Sequence, residues 1–180
     1  MQKPSHMGRL GLLLVALMAS NADALPAGVQ VGSQLLAAAS CALRETLGIK
    51  HYHAALYVPP RESPVAVMQD PARPKALQIE LRSKIFMPSE IPKKWRRTLE
   101  QQLGGDDLKR VREAYHELRP GDVISVAYAP GPGVSLRVNG AVVATTPNHQ
   151  LVEAMLLTWA AHDPVPKRLV RAISRNPCKV

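Results

Sequence analysis

The sequence predicts an α+β fold built on an antiparallel sheet, and three observations predict it. Residues 76–86 alternate apolar and polar side chains, which is the period of a half-buried strand. Residues 123–146 hold three short strand-like runs joined by turn residues, and Asn139-Gly140 between two of them is a strong hairpin signal. Strands and helices are clustered along the chain rather than alternating, which favours an antiparallel sheet over a parallel one.

The first residues are expected to be a signal peptide rather than part of the fold. Basic residues precede an apolar run at 10–19, and Ala22 and Ala24 supply the small residues that a signal peptidase needs. The run is short for a bilayer span, and the later chain predicts no transmembrane segment. We expect residues 1–24 to be removed, which leaves one domain at 25–180 in the periplasm or outside the cell. An uncleaved N-terminal anchor is the alternative.

Before residue 76, the sequence predicts one strand, two loops and a segment with the composition of a helix. Residues 51–58 have a strand-like alternation, whereas 59–65 and 69–75 are polar and rich in proline, which predicts loops. Residues 34–47 are rich in alanine and leucine, a composition typical of a helix. Local propensity alone would therefore place a helix there.

Two helices are predicted between the strand at 76–86 and the hairpins. Ser89 and Asp106 are placed to cap them. Their apolar residues recur about every fourth position and define one stripe on each helix: Ile91, Trp95, Leu99 and Leu103 on the first, and Leu108, Val111, Tyr115 and Leu118 on the second. The basic run at 93–97 then becomes a solvated face with Trp95 pointing inward. Two more helices are predicted after Asn148 and Asp163.

The amino-acid composition limits the classes of partner that the protein can be expected to bind. The chain of 180 residues carries a net charge of +9, and only 4% of its residues are aromatic. A basic surface attracts anions or keeps an exported protein soluble, but base-stacking aromatic residues are not interleaved with the basic ones, so we expect no nucleic-acid partner. Cys41 and Cys178 form an even pair that permits a disulfide in an exported protein, and two separate thiols remain the alternative.

Four segments together resemble the chalcone isomerase-like family, and in particular its bacterial exported branch. In order they read "HYHAALYVP", "ALQIELRSKI", "GDVISVAYAPGPGVSLRVNG" and "LLTWAAHDPVPKRLVRAIS". The resemblance implies a large antiparallel sheet with helices packed on one face, an open-faced sandwich with a ligand cleft. It also implies strand and turn rather than helix over much of 34–47.

The resemblance further implies a binding site. Arg44 matches the arginine that points into the family's cleft, and Tyr52 matches a tyrosine that assists it in relatives that bind fatty acids. Family members that are isomerases carry a threonine where this chain has Tyr52, so the resemblance implies no catalytic residues here. Tyr57 and Arg82 are secondary ligand-binding candidates.

The chemistry of these residues fits a small amphipathic anion such as a fatty acid. Arginine presents a planar fork of donors that matches a carboxylate, and in an apolar cleft such a ligand would offset the cost of burying the charge of Arg44. Tyr52 can donate one more hydrogen bond. Alternatively, Arg44 is exposed or paired with an acid and Tyr52 belongs to the core.

Two other functions remain open at this point. One is an isomerase or lyase that acts on an enone-type substrate, with Arg44 stabilising an oxyanion. The other is an envelope protein-interaction module that uses the basic run at 93–97. We expect no cofactor. We expect no metal either, because His51 and His53 without a third ligand do not define a site. The sequence gives no oligomeric state.

Overall fold

A computed structural model of the protein describes residues 25–85, 87–152, 155 and 178. Within these residues the elements, in chain order, are β1 (Gly28–Val31), β2 (Gln34–Thr46), β3 (Ile49–Val58), α1 (Pro64–Gln69), β4 (Lys75–Leu81), α2 (Lys93–Gln102), α3 (Gly105–Glu117), β5 (Val123–Ala129), β6 (Gly133–Val138) and β7 (Ala141–Thr146). The strands form one sheet in the order β1-β2-β3-β4-β5-β6-β7, and every neighbouring pair is antiparallel. The predicted fold class is confirmed.

The strand register defines the two faces of the sheet, since directly opposed residues share a face. One row of opposed, buried residues runs across five strands: Leu56, Leu77, Val126, Leu136 and Ala144. These residues belong to the main core on the first face of the sheet, and that core also contains residues of α1, α2 and α3. The helices therefore pack on one face, as expected.

The second face carries a smaller core, because β1 and the beginning of β2 fold over it. Val31 and Leu36 from these two strands are buried against Ala55, Tyr57 and Ala76. The structure also joins Cys41 of β2 to Cys178 in a disulfide, and Cys41 packs against this same cluster. The C-terminal cysteine is thus tied to the side of the sheet that faces away from α2 and α3.

Strand β2 overrides its local helix propensity. Its residues pair with β3 from Ala37, opposite Val58, to Thr46, opposite Ile49, with irregularities near Ala38 and Arg44. The pairing supplies hydrogen bonds along this length, and such tertiary context outweighs the few tenths of a kcal/mol per residue by which alanine-rich sequence favours a helix. The expectation of strand and turn for 34–47 is met.

Two helix beginnings differ from the predicted ones. Helix α2 begins after Pro92 rather than at Ser89, and the fixed φ of proline suits a helix start. Helix α3 begins after Gly104, so Asp106 lies in the first turn instead of at the cap. A carboxylate there still interacts favourably with the positive end of the helix dipole. Leu99 of α2 is buried, and so is Ile91 just before the helix, in agreement with the predicted apolar stripe.

A short helix and a buried lysine replace part of the predicted loops. Helix α1 begins at Pro64, and the Ser63 hydroxyl accepts a hydrogen bond from the backbone of the first turn. Lys75 opens β4 and is fully buried. Its Nζ donates to the carbonyl oxygens of Val67 (2.8 Å), Met68 (3.2 Å) and Asp70 (3.0 Å). The ammonium group thereby fastens the C-terminal end of α1 to the sheet.

The chain turns back towards the core after β7. Asn148 accepts a hydrogen bond from the backbone amide of Gln150 at 3.0 Å, which agrees with its predicted capping role. Leu151 and Met155 are buried. Trp159 and the helix predicted after Asp163 lie outside the described residues. Within the described part of the chain, no helix has the length and apolar character needed to span a bilayer.

Candidate ligand-binding cavity

A cavity of about 500 Å³ lies between the first face of the sheet and helices α2 and α3. Its size falls in the range of roughly 300–1,000 Å³ that is typical of small-molecule sites. Six elements and the loop after β4 supply its walls: Arg44 and Thr46 from β2, His51 and Tyr52 from β3, Ile79 and Leu81 from β4, Ser83, Met87, Pro88 and Pro92 from the loop, Trp95 from α2, Tyr115 and Leu118 from the α3 region, and Ile124 from β5.

The inner walls of the cavity are apolar because core residues of the sheet and of the helices form them. Ile79 and Leu81 are buried on β4, and Leu118 is buried at the end of α3. Trp95 and Tyr115 are only partly buried where they pack against the same core. A second, smaller cavity of about 40 Å³ adjoins this one and shares both aromatic residues.

Arg44 and Tyr52 meet at one end of the cavity because β2 and β3 pair there. Their Cα atoms are directly opposite in the ladder, so both side chains lie on the same face. Burial raises the pKa of the Tyr52 hydroxyl, and the nearby positive charge of Arg44 lowers it in part. Tyr52 therefore remains protonated near neutral pH and can act as a hydrogen-bond donor beside the guanidinium group.

Arg44 is exposed and lies at the mouth of the cavity, not in its apolar interior. This agrees with the alternative that Arg44 is exposed, and not with the expectation that its charge is buried in an apolar cleft where a ligand must offset the cost. The end of β2 extends past the core, so the guanidinium group remains in contact with water. An anionic group bound there would sit at the solvent side with an apolar tail directed inward.

Tyr57, a secondary ligand-binding candidate from the sequence, does not line this cavity. It lies an odd number of positions from Tyr52 on β3, so its side chain points to the second face. There its hydroxyl donates to the carbonyl oxygen of Pro26 at 2.9 Å and lies 3.3 Å from Oε1 of Gln78. Burial raises its pKa strongly. Tyr57 is a core residue that ties the N-terminal segment to β3 and β4.

Arg82, the other secondary ligand-binding candidate, does not line the cavity either. Its Nη2 is 3.2 Å from the Glu80 carboxylate and 3.4 Å from Nδ1 of His53. Glu80 and His53 are opposed across β3 and β4 on the second face. β4 ends at Leu81, and Arg82 turns back to this acid instead of continuing the strand. The Arg82 side chain is mostly buried.

Sequence patterns gave no direct signal for several cavity residues. Trp95 and Tyr115 looked like ordinary members of apolar helical stripes, and only their incomplete burial distinguishes them. Tyr115 donates to the carbonyl oxygen of Pro88 at 3.0 Å, which holds the loop after β4 against α3. His51 also borders the cavity. Among the described residues, no group of three or more potential metal ligands is present.

Comparisons with known proteins give the following similarities. A family model described as chalcone isomerase-like matches residues 20–173, well over half of the chain. Among solved structures, a fatty-acid binding protein of Arabidopsis thaliana is similar at 13% sequence identity and a TM-score of 0.47, covering 83% of this chain and 93% of that chain. No curated protein matches the sequence.

Proposed function

The chain belongs to the chalcone isomerase-like family, and from that premise we propose that it is an exported, non-catalytic protein that binds a small amphipathic anion. A fatty acid is the ligand that the cavity fits best. The carboxylate would bind Arg44 and Tyr52 at the mouth, and the alkyl chain would lie along Ile79, Leu81 and Ile124. The observation that carries this proposal is an apolar cavity of about 500 Å³ with a cation and a phenol together at one end.

The size of the cavity supports a chain-like ligand. If each non-hydrogen atom takes about 30 Å³, the share of one water molecule in the liquid, the volume holds on the order of 17 such atoms. A medium or long fatty acid is of this size. Each buried CH₂ contributes about 0.8 kcal/mol, so the tail supplies most of the affinity.

The head group contributes less, because Arg44 is exposed. Ion pairs of exposed groups contribute about 0.2–1 kcal/mol, since water and salt screen them. The hydrogen bond from Tyr52 adds about 0.5–1.5 kcal/mol. The site is therefore expected to select an anion at its mouth and to discriminate ligands mainly by the length of their chains.

Export is part of the proposal and has two supports. The leader-like pattern at 1–24 is one. The disulfide between Cys41 and Cys178 is the other, because such bonds persist mainly in oxidising compartments. On the same two observations, we propose that the protein belongs to the bacterial exported branch of the family. Fractionation of cells that produce the full chain, with N-terminal sequencing of the recovered protein, tests it; an intact N terminus in the cytoplasm contradicts it.

Binding is tested with delipidated protein and saturated fatty acids of 8 to 18 carbons by isothermal titration calorimetry. We expect saturable binding that tightens about tenfold for every two added CH₂ groups until the cavity is filled. Arg44→Ala should weaken binding by up to about fivefold, and Tyr52→Phe should weaken it about two- to tenfold. Arg97→Ala is the matched control, because this exposed arginine of α2 does not line the cavity.

Three results would contradict the proposal. They are the absence of saturable binding for every chain length, affinity that does not change with chain length, and an Arg97→Ala effect equal to that of Arg44→Ala. An Arg97→Ala effect of that size would mean that fatty-acid affinity depends on the net charge of the protein and not on the cavity. Thermal denaturation of each variant without ligand separates loss of binding from loss of folding.

A further inference from the structure

The turn between β2 and β3 contains Leu47, although the positive φ angle and the solvent exposure of this position both disfavour a leucine. Leu47 and Gly48 connect the two strands with positive φ angles of 52° and 78°. Such turns normally carry Asn or Asp at the first position. Asn139-Gly140, between β6 and β7, does so at 50° and 82°. Leu47 is also 91% exposed. Packing within the fold explains neither the positive φ angle of Leu47 nor its exposure.

A second exposed apolar side chain lies at the same end of the sheet. Ile85 is 69% exposed and belongs to the loop after β4. The backbone amides of Arg82 and Ser83 donate to the carbonyl oxygen of His51, at 2.7 Å and 3.2 Å. These bonds hold the loop against the start of β3, directly after the Leu47-Gly48 turn. Leu47 and Ile85 thus project from two neighbouring segments.

Both segments border the mouth of the cavity. Thr46, immediately before Leu47, lines it, and so do Ser83 and Met87 on either side of Ile85. Basic side chains lie in or next to these segments: Arg44, Lys50 and Lys84, and Lys93 at the start of α2, are all exposed. Two acidic residues are close in sequence, Glu45, which is exposed, and Glu90, whose carboxylate is bound by Arg96 at 2.8 Å. Asp122 is a third acid, since the charge of Lys84 helps to lower its pKa. The four exposed cations still outnumber these three carboxylates.

We propose that this surface, formed by Leu47, Ile85 and the surrounding lysines, docks the cavity mouth onto an anionic phospholipid bilayer. Isolated apolar side chains that project beyond a ring of cations suit the interface of such a bilayer, where apolar groups insert among the head groups and cations attract acidic lipids. The net charge of +9 favours approach to the same surface. Docking in this orientation lets an alkyl chain pass between bilayer and cavity without crossing water.

Membrane binding by the surface is separable from ligand binding by the cavity. The test is flotation of the protein without its leader-like residues 1–24, using vesicles of phosphatidylcholine with and without 30% phosphatidylglycerol, in the absence of added fatty acid. We expect binding to the anionic vesicles only, weakened by salt. Lys50→Glu and Lys84→Glu should each weaken it about fivefold or more. Lys109→Glu on α3 is the charge control.

Leu47→Asn is the most informative variant, because it separates stability from docking. Asparagine suits the positive φ of the turn, so the variant should fold at least as stably as the wild type. It should nevertheless lose about tenfold or more in vesicle affinity, and Leu47→Asn combined with Ile85→Ser should lose more. The matched control is Leu35→Asn, since Leu35 is 64% exposed at the opposite end of β2.

Several outcomes would overturn the proposal. Equal flotation with neutral and anionic vesicles, no flotation with either, or equal losses for Leu35→Asn and Leu47→Asn each do so. Sedimentation that shows a dimer converted to a monomer by Leu47→Asn would assign the surface to a second copy of the chain instead. Vesicle binding without fatty-acid binding removes only the proposed ligand, and fatty-acid binding without vesicle binding removes only the docking.

Discussion

At the residue scale, Asp122 is a surface carboxylate that should make stability depend on pH. Its Oδ1 accepts from the side-chain amide of Asn139 at 2.8 Å, and its Oδ2 accepts from the backbone amide of Arg119 at 2.7 Å. The hydrogen bond from Asn139 is the largest cause that lowers the pKa of Asp122 below 3.8, followed by the bond from Arg119. The carboxylate thereby links the turn before β5 to the Asn139-Gly140 hairpin.

A lowered folded-state pKa means that Asp122 stabilises the fold above its unfolded pKa and loses this effect as pH falls through the folded value. Asp122→Ala should therefore reduce the free energy of unfolding by about 0.5–1 kcal/mol at pH 7, a value kept small because the site is exposed. The difference from wild type should shrink as pH falls below about 4. Urea denaturation between pH 3 and pH 7 measures it.

Glu117→Gln is the control for Asp122, because Glu117 is an exposed carboxylate at the end of α3. It should leave the free energy of unfolding nearly unchanged at every pH. If the Asp122→Ala difference were the same at pH 3 and pH 7, the effect would come from lost packing and not from the charged carboxylate.

Single residues also show where sequence reasoning about the site succeeds. Strand periodicity places Tyr52, Ala54, Leu56 and Val58 on one face, and the structure agrees. The same period puts Tyr57 on the other face, away from the cavity that Tyr52 lines. The exposure of Arg44 could not be predicted, because it depends on how far β2 extends beyond the core.

At the element scale, the start of β6 requires a glycine for two reasons. Gly133 has a φ of +85°, and a Cβ built on it would lie 2.5 Å from the carbonyl oxygen of Thr146 and 2.7 Å from the Cα of Pro147. The backbone at the end of β7 therefore approaches β6 at a distance that only glycine permits. A side chain here must separate the strands or displace the chain after β7.

Gly133→Ala should lower the free energy of unfolding by about 3 kcal/mol or more, because left-handed strain of about 1–2 kcal/mol adds to the steric overlap. Gly131→Ala is the matched control: its φ is +89°, but a Cβ there meets nothing within 4 Å. That variant should show the backbone strain alone. Chemical denaturation of both compares them directly, and equal losses would mean that the close approach to Thr146 relaxes at no cost.

Elements with a clear period or turn signal were predictable, and those fixed by distant contacts were not. Strands β4 to β7 and the stripes on α2 and α3 follow from periodicity and from the Asn139-Gly140 turn. Strand β2 has the composition of a helix, and only the family resemblance indicated otherwise. Helix α1 was missed because it is short and its C-terminal end is held by Lys75, a contact with no local sequence signal.

At the scale of the whole molecule, the sheet keeps the cavity and the disulfide apart. The cavity lies on the face covered by α2 and α3, whereas the disulfide lies against the cluster on the opposite face. Cys41 and Ala55 are opposed on that second face, while Arg44 and Tyr52 are opposed on the first. The covalent link should therefore support stability without forming part of the binding site.

The disulfide closes a long loop, since Cys41 and Cys178 are 137 residues apart in sequence. Cross-links of this kind stabilise mainly by restricting the unfolded chain, and typical values are about 2–4 kcal/mol. For a chain of this length that corresponds to a decrease of roughly 5–15 °C in Tm when both cysteines are replaced by alanine. Scanning calorimetry of the oxidised wild type and the Cys41→Ala/Cys178→Ala variant measures it.

Two comparisons make this prediction specific to the bond. Dithiothreitol should lower the Tm of the wild type towards that of the double variant and leave the Tm of the double variant unchanged. Fatty-acid affinity, measured well below the lower Tm, should be equal in the two proteins, because the bond and the cavity lie on opposite faces of the sheet. A double variant that keeps its Tm but loses affinity would reverse this assignment, and would mean that the tie between β2 and the C-terminal cysteine positions Arg44.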